Sequence, residues 1–476
     1  MTRPVVLGID SSTQSTKVLA IDLETGEIAA EGRALHSGAD TQDPRDWWVA
    51  LRAAVREAVT PDLDVRGISV SGQQHGCVLM DDAGEPVRDA PLWNNVDSAP
   101  DAERLNGLAD FASEVGTRLV ASVTITKLAE MQRTDSDSLA RATRVGLPHD
   151  WINFKLTGEL TTDRGDASGS GWWSPFTGEH RRDLLALAIG EAKSQSLGLP
   201  RVLGASELAG TLTESAAWEL GLPAGIPIGP GSGDNMEAAL GVGTAPGEYV
   251  VSLGTSGTAF AISETPTADP SGVVCGFADA SGRFLPLVCL INCTRTVDVT
   301  AALLGLDRAT ALDFAASVEP GAGGLLLEPY FGGERTPNLP HANGTLHGMT
   351  LDNLLPANLI RAALDGVAAG LAYSVDHLRS FGIHGDSIDL VGGGARHIAW
   401  QRAIADATGL PVTVRGGAEH AARGAAIQIA AILRNEPISE LAARWRPPVI
   451  ATITPRSGMR ERFRLPERQA LAEAQR

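Results

Sequence analysis

Apolar and polar positions divide the chain into short strands and amphipathic helices. Residues 5–10, an apolar run ending in Asp10, read as a buried strand. A polar turn follows over 11–17, the strand pattern resumes over 18–23, and Thr25-Gly26 turns the chain into a third strand at 28–35. Asp43-Pro44 opens a helix. Proline's missing N–H is tolerated in a first turn, and Trp47, Trp48, Leu51, Val55 and Val59 recur at helical spacing. Further strands are predicted at 65–70 and 77–80. The second half repeats the theme, with strands at 248–253 and 258–262 around a polar turn and a third at 283–290. A long helix at 358–378, a strand at 387–391, a helix at 397–408, a strand at 411–414 and a helix at 421–433 complete it.

A strand meander followed by helices and further strands predicts an α/β layer around a mixed sheet, here occurring twice. A chain of 476 residues is too long for one hydrophobic core. The reading is two domains, 1–243 and 244–476, each offering its first hairpin to a shared cleft. The Gly/Pro-rich stretch 241–247 is the expected boundary and hinge. The charged tail beyond Pro455 is expected to be peripheral.

Composition mainly excludes. The 43% hydrophobic content is ordinary for a soluble globular protein, and a net charge of −18 argues against nucleic acid or an anionic membrane as partner. No apolar run is long enough to span a bilayer, and the first ten residues lack a signal-peptide core, so a cytoplasmic location is expected. Cys77, Cys275, Cys289 and Cys293 show no paired metal-ligand spacing and read as free thiols, with no structural zinc. An acidic surface remains compatible with ATP, because backbone amides and magnesium hold phosphate without a basic field.

Candidate chemistry gathers at the turns. In Asp10-Ser-Ser-Thr-Gln-Ser-Thr-Lys17, N–H and O–H donors can face phosphate oxygens while Asp10 holds magnesium; a hairpin using Ser and Thr for local bonds is the alternative. Ser252-Leu-Gly-Thr-Ser-Gly-Thr258 carries two glycines that admit a ligand close to the backbone. Gly392-Gly-Gly-Ala395, between a strand and a helix, is placed to meet a nucleotide. Asp234, on the turn Gly231-Ser-Gly-Asp-Asn235, suits either a helix N-cap or a base; the neighbouring phosphate turns favour the base. Gln73-Gln-His75 and Trp93-Asn-Asn95 combine amide and imidazole groups with an aromatic face, which suits a neutral polyhydroxylated ligand.

Together these motifs resemble the FGGY carbohydrate kinases of the actin–hexokinase–heat-shock ATPase superfamily, over nearly the whole chain. Further matches are Gly8-Ile-Asp10 with Ser12-Thr-Gln14, Leu92-Trp-Asn94, Gly333-Glu-Arg-Thr-Pro337 and Gly344-Thr-Leu-His-Gly-Met349. The resemblance implies two ribonuclease-H-like (actin/hexokinase-type) domains with a cleft, ATP and Mg2+, a small sugar substrate and a homodimer. By position it makes Asp234 the catalytic base and Asp10 the phosphate and magnesium-site acid. It assigns Gln74, His75, Trp93, Asn94 and Asn235 to the sugar. Ser12, Thr13 and Lys17 fall on the first phosphate loop, Gly254, Thr255 and Ser256 on the second, and Gly393, Gly394 and Ala395 on the adenosine loop. Glycerol kinases carry an Arg-Glu pair where this chain has Gln74-His75, which favours D-xylulose as acceptor; ribulose, ribitol or gluconate is the alternative. Three departures stand out: Asn95 and Asp97 replace a common Asp and Arg, Glu130 a Trp, and His397 a Ser.

Overall fold

The structure is a computed structural model and describes residues 2–417 and 419–475. The chain forms two compact units. The first comprises Met1–Gly243 with Glu264–Leu285 and Glu419–Arg446; the second comprises Thr244–Ser263, Pro286–Ala418 and Pro447–Arg476. Two segments from the C-terminal half therefore belong to the first unit, which no local sequence pattern announces.

In the first unit the strand Arg3–Ser11 is central. It runs antiparallel to Ser15–Asp22 and parallel to Leu63–Gly72, and Ser15–Asp22 pairs with Ile28–Leu35. Its side chains alternate between the two faces of the sheet. Val5, Leu7 and Ile9 pack with Trp47, Leu51 and Val55 of the helix Pro44–Ala58. Asp43 caps that helix by accepting the Arg45 N–H at 2.9 Å, and the buried Trp47 indole donates to Gln42 Oε1 at 2.7 Å. Burying such a side chain stabilises by roughly 1.5–3 kcal/mol.

The opposite face is covered by the helix His420–Arg434, and glycines set its closeness. A Cβ on Gly8 would sit 1.8 Å from the Ala422 carbonyl oxygen; one on Gly424 would sit 1.8 Å from that of Glu237. Gly241 belongs to the same contact. It lies inside the helix Asp234–Val242, with its Cβ position 1.9 Å from the His420 carbonyl oxygen. Its place is a packed helix crossing, not the loop that the Gly/Pro-rich composition suggested.

The second unit repeats the strand order. Glu248–Leu253 is antiparallel to Gly257–Ala261, which pairs in turn with residues 287–290. Glu248–Leu253 is also parallel to Ser387–Val391, and that strand is parallel to Val412–Arg415. The α/β expectation holds in both units. The tail beyond Pro455 is mostly exposed or half-buried, as expected, yet anchored: Phe463 is 1% exposed, and Arg456 is paired with Asp406 at 2.8 Å. A sparse apolar content still supplied one anchoring aromatic.

Candidate active site

Parallel pairing assembles the first half of the site. The strand Arg3–Ser11 ends beside Leu63–Gly72, with Asp10 opposite Ser71, and Ser232–Gly233 pairs with Ser71 and Gly72. Three strand ends therefore deliver Asp10, Gln73-Gln74-His75 and Asp234 to one edge of the first unit's sheet. A Cβ on Gly233 would lie 2.6 Å from Gln74 Cγ, so glycine there lets the two strand ends touch.

Asp234 is the first residue of its helix; Gly233 occupies the N-cap position. The capping alternative therefore falls away. Its Oδ1 accepts from Asn235 Nδ2 at 2.9 Å, and the same amide donates to Gln74 Oε1 at 2.9 Å. Burial, then the negative charges of Asp10 and Asp166, push the Asp234 carboxyl up to about 7. A carboxylate tuned near neutrality suits general-base work.

Asp10 sits on a cross-linked hairpin. Its Oδ2 accepts from Ser12 Oγ at 2.6 Å and lies 3.5 Å from Lys17 Nζ. Lys17, assigned to phosphate, is held between two carboxylates, its Nζ also lying 2.5 Å from Glu419 Oε2. Burial raises the Asp10 carboxyl, with Lys17 and Ser12 pulling the other way. Thr13 Oγ1 donates to Gln73 Oε1 at 3.2 Å and receives the Trp93 indole N–H at 3.0 Å. Trp93 is thereby tied to the hairpin that follows Asp10.

His75 has φ 67°, an uncommon backbone conformation for a side-chain-bearing residue and one that collects at functional sites. Its Nδ1 donates to the Gly169 carbonyl at 3.0 Å, and its ring packs 5.6 Å from that of Phe277. Asn94 is exposed. The departure at Asn95 and Asp97 is bonded locally: Asn95 Nδ2 donates to Asp97 at 3.1 Å and to Asp40 Oδ2 at 3.4 Å, and Asn95 Oδ1 accepts the Asp97 N–H.

The second unit holds the glycine motifs. In the turn between Glu248–Leu253 and Gly257–Ala261, the Gly254 carbonyl accepts Thr294 Oγ1 at 2.7 Å, and the Thr255 carbonyl accepts the Cys293 N–H at 3.3 Å. Gly392 has φ 89°, and a Cβ there would meet the Leu253 carbonyl oxygen at 2.6 Å. The glycine turn is thus pressed against the hairpin strand. A cavity of about 300 Å³ opens beside it, lined by Thr294, Gly393, Gly394, Arg396, His397 and Trp400 among others. Ala395 is buried, its carbonyl taken by Gln401 Nε2 at 2.8 Å. His397 caps the helix Ile398–Thr408 by accepting the Ala399 N–H, a role open equally to the common Ser. A larger cavity of about 580 Å³, walled by Tyr330, Tyr373 and Arg468, contains none of the motif glycines and is set aside as a nucleotide site.

The residues fit a hard cation at Asp10. Among the described residues Asp10 Oδ1 is buried without a hydrogen-bond partner, and a carboxylate oxygen is the donor that magnesium takes, directly or through water. Sequence reasoning missed Glu419, which lies hundreds of residues from Lys17, and Thr294, whose signal was a lone hydroxyl at a helix start.

The first unit thus holds a buried, near-neutral carboxylate beside amide donors, and each unit's sheet carries a strand–turn–strand hairpin. Residues 5–241 match the N-terminal domain of the FGGY family of carbohydrate kinases and residues 249–432 its C-terminal domain. The chain belongs to that family. It is 44% identical over 451 residues to the xylulose kinase of Streptomyces rubiginosus, covering 93% of this chain and 91% of the relative. The crystal structure of xylulose kinase from Bifidobacterium adolescentis superposes with a TM-score of 0.87 at 36% identity, covering 98% of this chain and 99% of that one. Gluconate kinase from Lactobacillus acidophilus superposes with a TM-score of 0.90 at only 20% identity, covering 99% of each chain. Fold alone therefore does not choose the sugar.

Proposed function

We propose that this chain transfers the γ-phosphoryl group of ATP to the terminal hydroxyl of D-xylulose, giving D-xylulose 5-phosphate and ADP. The observation that carries the reading is the Asp234–Asn235–Gln74 linkage. A base of raised pKa is hydrogen-bonded through one amide to a second amide whose Nε2 is buried without a partner among the described residues. Such an amide suits a sugar hydroxyl or carbonyl. The high identity to proteins named xylulose kinase supports the choice of sugar.

In this mechanism Asp234 accepts a hydrogen bond from the sugar hydroxyl and orients it toward the γ-phosphorus. A carboxylate is too weak a base to ionise an alcohol beforehand. The proton moves late, as the new O–P bond forms and the bond to the β,γ-bridging oxygen breaks. Gln74, His75 and Asn235 orient the sugar, Trp93 offers it an apolar wall, and Ser12, Thr13 and Lys17 face phosphate. Thr255–Ser256 and Gly393–Gly394 present amide N–H groups to the nucleotide, while the Gly254 N–H closes the turn on the Ser256 carbonyl at 3.1 Å. Magnesium, held by Asp10, supplies charge neutralisation on the phosphates when bound.

The test is ADP release by the purified protein with and without a panel of ketoses, polyols and sugar acids. Strong stimulation by D-xylulose is expected. Preference for ribulose, ribitol or gluconate would replace the substrate, and sugar-independent hydrolysis would discard the reading.

A further inference from the structure

Next to the candidate base lies a buried charged cluster that none of the roles above uses. His149, in the first turn of the helix Pro148–Thr157, is fully buried. Its Nδ1 is 2.6 Å from Asp166 Oδ2; its Nε2 is 3.4 Å from Asp150 Oδ1 and 3.9 Å from Asp163 Oδ1. Glu237, from the Asp234–Val242 helix, faces the cluster, with Asp279 as the next negative group. Burial opposes a charge on His149, but Asp150, Asp166 and Asp163 more than offset it and hold the imidazole up to about 10. Burial in turn raises Asp150 to about 7 and Asp163 to about 6.

The cluster touches both halves of the sugar-facing edge. A Cβ on Gly72, just before Gln73-Gln74-His75, would lie 2.8 Å from His149 Cβ. One on Gly231, three residues before Asp234, would lie 3.0 Å from His149 Cδ2. Asp163 Oδ2 accepts from Ser232 Oγ at 2.6 Å and from the Gly165 N–H at 2.7 Å. The turn closes at Gly169, whose N–H donates to the Asp166 carbonyl and whose own carbonyl receives His75 Nδ1. One short segment, 163–169, thus joins His149 to Ser232 on one side and to His75 on the other.

We infer that His149, as an imidazolium anchored on Asp166, is a positioning residue that fixes the backbone under Asp234 and the ring of His75 together; this rests on the assignment of Asp234 as the base. His149 itself touches no substrate. A misplacement of about 1 Å at a reacting group can cost about a hundredfold in rate. His149→Gln is therefore expected to lower kcat about a hundredfold and raise the sugar KM about tenfold, with the ATP KM within about twofold of normal. His149→Lys, which keeps the charge, is expected to recover about tenfold of the lost kcat. A folded His149→Gln protein with unchanged sugar KM overturns the inference, whether its kcat is normal or merely reduced.

Removing one partner of a buried charge pair can prevent folding, and Asp166→Asn with imidazole 15N spectra provides a second route. Both ring nitrogens of His149 are expected to be protonated between about pH 6 and 9, and the His75 resonances are expected to shift in Asp166→Asn. A neutral His149 ring, a stoichiometric metal found by elemental analysis, or unmoved His75 resonances would each overturn it. These spectra do not depend on turnover. A wild-type protein silent toward every sugar sinks the proposed reaction, while the spectra still decide whether His149 positions His75.

Discussion

The first-unit hairpin around Ser12–Gln14 and the second-unit hairpin around Gly254–Ser256 occupy the same topological place in two like sheets. Their chemistry differs. The first is rooted on a buried carboxylate, Asp10, and cross-linked by side chains: Ser12 to Asp10, Thr13 to Gln73, Trp93 to Thr13. The second has no carboxylate from Ser252 to Thr258 and is held through its carbonyls by Thr294 and Cys293. A buried acid demands counter-charge and suits a cation or a proton. The glycine turn spends the Gly254 N–H on the Ser256 carbonyl, and with no carboxylate of its own it suits an anion. One connection therefore serves two electrostatic purposes, and the flanking residues decide which.

The largest expected effect breaks the acidic side. Asp234→Ala should lose about 3–5 kcal/mol of transition-state stabilisation, about 10²–10⁴-fold in kcat, while ATP still binds. Steady-state ADP release measures it, and near-normal turnover would remove Asp234 from the mechanism. Next, Asp10→Asn should cost about ten- to a hundredfold in kcat/KM and raise the magnesium concentration needed for half-maximal rate, since a charged ligand is lost. An unchanged magnesium titration would free Asp10 from its metal role.

The pH profile follows. Burial, with Asp10 and Asp166, raises the Asp234 carboxyl to about 7, so the carboxylate form is lost as pH falls through that value. In wild type, kcat/KM for the sugar should fall about tenfold per pH unit below about 7, with a plateau above. A flat profile down to pH 5 would mean the base titrates elsewhere. The smallest effect sharpens the glycine side. Thr294→Val removes the bond to the Gly254 carbonyl, worth about 1 kcal/mol, and should raise the ATP KM about fivefold with the sugar KM unmoved. If the sugar KM moves instead, the division of labour between the hairpins is wrong.

Both hairpins and the Pro44–Ala58 helix were legible because strand alternation, turn glycines and an Asp-Pro start are local signals. The Asp234 turn was legible as a motif whose neighbouring phosphate turns favoured a base, and the cap reading fell away when Gly233 took the cap position. Gly241 misled: composition reads glycine as flexibility, whereas this one admits a crossing backbone. The tail is peripheral as its composition suggested, but the burial of Phe463 within it depends on partners distant in sequence.

Periodicity along the chain was sufficient for the elements, the doubled α/β order and the family motifs, because each depends on residues within a turn or two. The neighbourhood of each charge was a matter for the folded chain. Lys17 meets Glu419, His149 meets Asp166 beneath Gly72 and Gly231, and residues 419–446 join the first unit, through contacts spanning tens to hundreds of residues. Burial and charge proximity set a carboxylate's pKa, and neither is a property of its sequence neighbours. That is why Asp234 is visible in the sequence as an acid on a turn and only in the structure as a group poised to take a proton near neutrality.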